Sequence, residues 1–72
     1  MTKEEFLTEM QDVLQTEEEL GFETVLDSLD EWDSLSVMAT MAFLEKSFGV
    51  KTTMKDYKDM KTIGDIAKKA GV

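Results

Sequence analysis

The sequence predicts an all-α fold: a small four-helix bundle with three longer helices, a short third helix and a long first loop. Two observations carry this. Apolar residues recur every three or four positions in several segments. No segment alternates convincingly with period two, as a half-buried strand requires. With 72 residues, no proline and no cysteine, the chain reads as one domain, residues 1–72, held by a single core and not by disulfides.

Thr2-Lys3-Glu4-Glu5 fits a capping box, with Thr at the N-cap and Glu three residues on. Phe6, Leu7, Met10, Val13 and Leu14 follow at helical spacing, so the first helix spans roughly 3–15. Its acids crowd the first turn, where the helix dipole favours them.

Residues 16–33 carry no sustained period. Leu20, Phe22, Val25, Leu26, Leu29 and Trp32 are scattered apolar anchors, and Gly21 interrupts the pattern. This predicts a long loop pinned to the core, with room for one helical turn. Loops of this length inside compact domains are often functional.

The helical signal returns from Ser34 to Phe48, and Gly49 is its natural stop. Val37, Met41, Leu44 and Phe48 form one stripe, and Leu35, Met38, Ala39 and Ala42 form a second. A surface helix needs one apolar face. The second must be covered by the rest of the chain or by a partner. Thr52 or Thr53 opens a short third helix with Met54, Tyr57 and Met60, and Thr62-Ile63-Gly64-Asp65 caps a fourth. Ile63, Ile66, Ala67 and Ala70 line the inner face of that last helix, and Gly71 closes it.

The net charge of −8 argues against nucleic-acid binding. It is unevenly spread. The first 36 residues hold twelve acids and one lysine, whereas the second half holds four acids and seven lysines. No apolar run reaches the ~20 residues that span a bilayer. The opening "MTKEEFLTEM" is acidic where a secretion signal is basic and then apolar. The expectation is a cytoplasmic monomer with no membrane insertion.

The triplet Asp-Ser-Leu occurs twice, at Asp27-Ser28-Leu29 and at Asp33-Ser34-Leu35. Ser28 begins no lasting apolar stripe. Ser34 stands at the start of the best helix, as its N-cap or first residue. Backbone N–H groups there lack intrahelical partners, and the positive end of the dipole suits a phosphate. The same position suits an ordinary structural cap. Ser34 is a poor candidate for a catalytic nucleophile: without histidine or cysteine no Ser-His-Asp arrangement can form, and although a lysine can serve as base, none lies close to Ser34 in sequence. The carboxylates of 27–33 lack the glycine and the spacing of a calcium loop, so no metal site is expected.

"EWDSLSVMATMAFLEKSFGV" followed by "KDMKTIGDIAKKAG" resembles acyl carrier proteins. The likeness covers nearly the whole chain. It joins the triplet at Ser34 to Phe48-Gly49 and to a last helix opening at Thr62-Ile63, a spacing that Ser28 fails. The resemblance implies that Ser34 receives 4'-phosphopantetheine from coenzyme A, added by a phosphopantetheinyl transferase. The thiol of the arm then carries acyl groups as thioesters between acyl-loading and acyl-transferring enzymes. It also implies that Asp33, Leu35, Met38 and Ala42 dock those partners, which gives the second apolar stripe a purpose. Met41, Met54 and Met60 are expected as core, adaptable enough to fit around an acyl chain.

The chain departs from the fatty-acid members of that family in charge. Ser36, Ala39 and Lys46 stand at positions that are often acidic there, and Lys55, Lys58 and Lys61 fall in a region usually kept acidic. This implies a specialised lipid or secondary biosynthetic pathway and not general fatty-acid synthesis. Two other assignments fit the same residues: an aminoacyl carrier of the D-alanyl or peptidyl type, and a small acidic interaction module with no prosthetic group.

Overall fold

A computed structural model describes residues 1–72. Four α-helices follow in order: α1 Lys3–Leu14, α2 Ser34–Phe48, α3 Met54–Lys58 and α4 Ile63–Ala70. A single 3₁₀ turn, Leu26–Ser28, interrupts the loop between α1 and α2. No strand forms; one isolated bridge joins Val25 to Thr62. The all-α bundle expected from the sequence is therefore the observed fold. No helix is long and apolar enough to cross a membrane.

Every helix begins with a reciprocal cap. Thr2 and Glu5 close α1, Thr53 and Asp56 close α3, and Thr62 and Asp65 close α4. In each pair the carboxylate accepts a hydrogen bond from the N-cap backbone N–H, at 2.9, 2.7 and 3.1 Å. Backbone hydrogen bonds hold the carboxyls of Glu5, Asp56 and Asp65 below the ordinary carboxylate range: from the N-cap N–H for Glu5 and Asp56, and for Asp65 first from the Lys61 N–H at 2.8 Å and then from that of Thr62. A depressed folded-state pKa stabilises the fold above the ordinary range, and that contribution is lost as pH falls through the depressed value.

Phe6, Met10, Leu26, Leu44, Ile63 and Ile66 are fully enclosed. Phe6 lies at the centre of an aromatic cluster, with ring centroids 6.5 Å from Phe22, 5.9 Å from Phe43 and 6.1 Å from Phe48. Trp32 packs on Tyr57 at 6.3 Å, tying the end of the loop to α3. The loop anchors Leu20, Leu26 and Leu29 are buried as expected, whereas Val25 is half exposed because it sits in the bridge to Thr62. Met54 is 45% exposed and is not core. It opens a five-residue helix too short to bury both its ends. Met41 and Met60 pack at the edge of the core.

The inner face of α2 differs from the expected stripe. Val37 and Leu44 are buried, but so are Ser36 and Thr40, with Thr40 at 0% exposure. Both polar side chains are satisfied locally: Thr40 Oγ1 donates to the Ser36 carbonyl at 2.8 Å, and Ser36 Oγ bonds within the cap. A buried hydroxyl with a partner avoids most of its desolvation cost.

Besides the shared core, backbone hydrogen bonds fix the loop to α4 and the residues leading into it. The Gly64 N–H donates to the Phe22 carbonyl at 2.8 Å, Ile63 N–H to Thr24 at 3.1 Å, and Leu26 N–H to Lys61 at 2.8 Å. The first N–H groups of α4, which have no intrahelical partner, are thereby satisfied by the loop. The approach is close enough that a Cβ on Gly64 would stand 2.9 Å from the Phe22 oxygen. Gly64→Ala should therefore lower stability although it favours the helix. Overpacking costs about 1–3 kcal/mol, against a propensity gain of at most about 1 kcal/mol. A melting temperature above wild type would show that the loop yields freely.

Candidate functional site

The N-terminus of α2 differs from that of α4. Asp33, not Ser34, is the N-cap: its backbone is extended at φ −141°, and its carboxylate accepts the Ser36 N–H at 3.0 Å. Ser36 reciprocates, its hydroxyl accepting the Asp33 N–H at 2.8 Å and donating to the Asp33 carbonyl at 3.0 Å. Asp33 and Ser36 thus form the capping box, with serine where Glu or Gln is usual. The sequence left Ser34 open as N-cap or first residue, and the structure makes it the first residue. Asp and Ser both cap well, so periodicity alone cannot choose between adjacent candidates.

Ser34 is exposed and plays no part in the box. Its N–H and that of Leu35 occupy the first two helical positions, where no intrahelical acceptor exists. At α4 the loop covers the corresponding groups; at α2 no helical carbonyl can reach them. No acid lies in the first turn of α2; the carboxylate at this helix end is that of the N-cap Asp33, and it is engaged with the Ser36 N–H. An exposed hydroxyl beside two unpartnered N–H groups at a positive helix end fits a phosphate ester.

Ser28 is held differently. It ends the 3₁₀ turn, and its hydroxyl donates to the Val25 carbonyl at 2.6 Å. The second copy of the triplet is thus part of a turn.

Leu35 and Met38 are 76% and 59% exposed, and Ala39 and Ala42 are exposed beside them. The second stripe of α2 is therefore not covered by the rest of the chain. Asp33, Leu35, Met38 and Ala42 fall on one side of the molecule, around Ser34. Ser36 does not belong to that surface. It is buried in the cap, so its lack of charge says nothing about what meets the helix. Lys46, Lys55, Lys58 and Lys61 are exposed, and Lys69 of α4 acts on Asp56 of α3, so the basic character extends over both short helices. No group of histidine, cysteine or carboxylate side chains could hold a metal ion.

The family described as "Phosphopantetheine attachment site" matches residues 4–69. A solved structure, a holo acyl carrier protein from Geobacter metallireducens studied in solution, superposes with a TM-score of 0.75 at 26% identity. The alignment covers 94% of this chain and 79% of that one. No curated protein matches by sequence. The chain belongs to the acyl carrier protein family of phosphopantetheine-bearing carriers. Its prosthetic group is 4'-phosphopantetheine.

Proposed function

We propose that residues 1–72 act as a single carrier domain, that Ser34 is the residue that bears the arm, and that other enzymes act on the cargo. The exposed Ser34 hydroxyl at the open end of α2, against the Ser28 hydroxyl tied to Val25, is the observation that favours this serine. In the transfer, Ser34 Oγ forms a bond to the pantetheine-bearing phosphorus of coenzyme A. The pyrophosphate bond breaks, adenosine 3',5'-bisphosphate leaves, and the serine proton is lost to base. The bound arm supplies a thiol that holds cargo as a thioester, chemistry that this cysteine-free chain lacks. Ser34 and Leu35 N–H groups and the α2 dipole accommodate the phosphodiester. Incubation with coenzyme A and a permissive phosphopantetheinyl transferase, followed by intact-mass and peptide mapping, tests this. One added arm on Ser34 is expected. An unmodified chain would leave it an acidic interaction module.

Leu35, Met38 and Ala42 supply the apolar centre of the docking surface, with Asp33 at its edge. Lys46 stands exposed on α2 and Lys55 and Lys58 on the following α3, basic character that favours a specialised acyl or aminoacyl pathway over general fatty-acid synthesis. Like charges facing each other at a rim slow encounter and reject wrong partners. Lys46→Glu with Lys55→Glu is expected to raise kcat/KM with a fatty-acid malonyl transferase by roughly tenfold at low salt, less as salt rises. Equal values for variant and wild type, both matching a general carrier, would remove the case for specialisation.

A further inference from the structure

The two flanks of α2 are occupied differently. α1 takes one. Leu35, Ser36 and Ala39 share a groove with Val13 and Leu14, and Phe43 meets the Phe6 ring at 5.9 Å. At 3.6 residues per turn, Ala39 and Phe43 stand about 140° and 180° round the helix from Ser34, whereas Met38 stands only about 40° away. Ser34 and Met38 therefore turn away from α1. α3 also packs on α2, and the Tyr57 ring of α3 lies 6.3 Å from that of Trp32, two residues before Ser34. α3 thus stands beside the approach to Ser34, on the flank that α1 leaves open.

Burial of Tyr57 turns the rest of this short helix outward, so that Met54, Lys55 and Lys58 are all exposed. Asp56, the one acid of α3, is committed to the cap, where it accepts the Thr53 N–H at 2.7 Å. Residues 51–61 hold four lysines and two acids, whereas residues 16–33 hold eight acids and no lysine. The sign of the charge therefore changes across Ser34, from acidic on the approach to basic on α3. Glu45, about three turns further along, is the only acid of α2.

We infer that the partner enzymes of this carrier cover α3 together with α2 and meet Lys55 and Lys58 with a patch of carboxylates, an inference that rests on Ser34 as the residue bearing the arm. Exposed Met38 and Met54 give the face an apolar part, and methionine adapts its shape to what it meets. An apolar centre with a charged rim is the usual anatomy of an interface. Carboxylates opposite the two lysines speed encounter, and a basic patch there is repelled. An anionic membrane would also attract lysines, but the eight acids of residues 16–33 lead into the same face and oppose a negatively charged surface. A protein partner can place opposite signs against the two regions, and a uniform lipid surface cannot.

The test is an NMR titration of isotope-labelled holo protein whose arm has first been mapped to Ser34 by mass. Three probes are used: an amphipathic helical peptide of Leu and Glu, its Leu and Lys counterpart, and phosphatidylglycerol vesicles. The Leu/Glu peptide is expected to shift Met38, Met54, Lys55 and Lys58, and the shifts should fade as salt is added. The Leu/Lys peptide should shift residues 27–33 and leave α3 unmoved, and the vesicles should shift neither region. Lys55→Glu with Lys58→Glu, both at exposed positions, should weaken binding of the Leu/Glu peptide roughly tenfold. Lys3→Glu with Lys68→Glu, around a separate hollow beside Phe22, changes the net charge equally and should weaken it far less. Equal weakening by the two pairs would reveal attraction to net charge alone and overturn the inference. So would α3 shifts with the Leu/Lys peptide, or none with the Leu/Glu peptide. Vesicles that shift Met54, Lys55 and Lys58 would make the face a lipid-binding one and overturn it too. Each of these results, with mass at Ser34, leaves the carrier reading intact, whereas no mass at Ser34 overturns both.

Discussion

Ser34→Ala protein is expected to gain no mass with coenzyme A and a permissive transferase, while Ser28→Ala is modified as completely as wild type. The effect is all or none because one oxygen is the acceptor. Ser28 cannot substitute, since its hydroxyl is engaged with Val25 in the 3₁₀ turn and no helix end stands behind it. The same variant also separates function from fold. Ser34 is not the cap, and alanine is a good residue at a first helical position, so the melting temperature should barely move. Asp33→Ala should behave in the opposite way. It removes the acceptor of the Ser36 N–H and should cost about 1 kcal/mol, the usual scale for a lost cap, yet leave the acceptor oxygen in place. A modified Ser34→Ala protein would falsify the assignment.

The second large effect is expected at Phe6. Its ring is fully buried and meets the rings of Phe22, Phe43 and Phe48. It thereby joins α1, the long loop and both ends of the latter half of α2. Truncation of a buried Phe to Ala typically costs about 3–5 kcal/mol. A single core in a chain of this size supplies about 3–5 kcal/mol in total. Phe6→Ala should therefore be largely unfolded at room temperature by far-ultraviolet circular dichroism, with no cooperative thermal transition. Phe6→Leu, which keeps most of the apolar volume, should retain a transition at lower temperature. A Phe6→Ala protein that melts cooperatively near wild type would mean that the aromatic cluster is not the keystone of the core.

Much of this architecture was legible in the residues. Helical spacing marked Phe6, Met10 and Leu14 on α1 and Ile63, Ile66, Ala67 and Ala70 on α4, and all are buried. Caps marked the starts of α1 and α4 because a hydroxyl and a carboxylate three residues apart have a specific job there, whereas for the start of α3 the sequence offers both Thr52 and Thr53. Ser36 and Thr40 were not legible as interior positions. They are polar, and only the local carbonyl and cap partners that the helix itself provides make their burial tolerable. Met54 was misread because a short helix exposes more of itself than its apolar pattern suggests. At the candidate site, the triplet and its spacing selected Ser34. Which of two adjacent capping residues closes the helix is a matter of one residue's backbone angle, which periodicity does not carry.

The stitching of the long loop to α4 was also invisible, since backbone N–H and carbonyl groups are common to every residue. It bears on how the chain reaches its final form. Phe22, Thr24 and Leu26 find their partners only after α2, α3 and the start of α4 have been placed, so these bonds close a long stretch of chain. Contacts of high sequence separation must wait until the entropy of that closure is offset. The segment that leads into Ser34 is therefore organised by the last part of the polypeptide. A chain lacking α4 would retain Ser34 in sequence while losing the framework that delivers it.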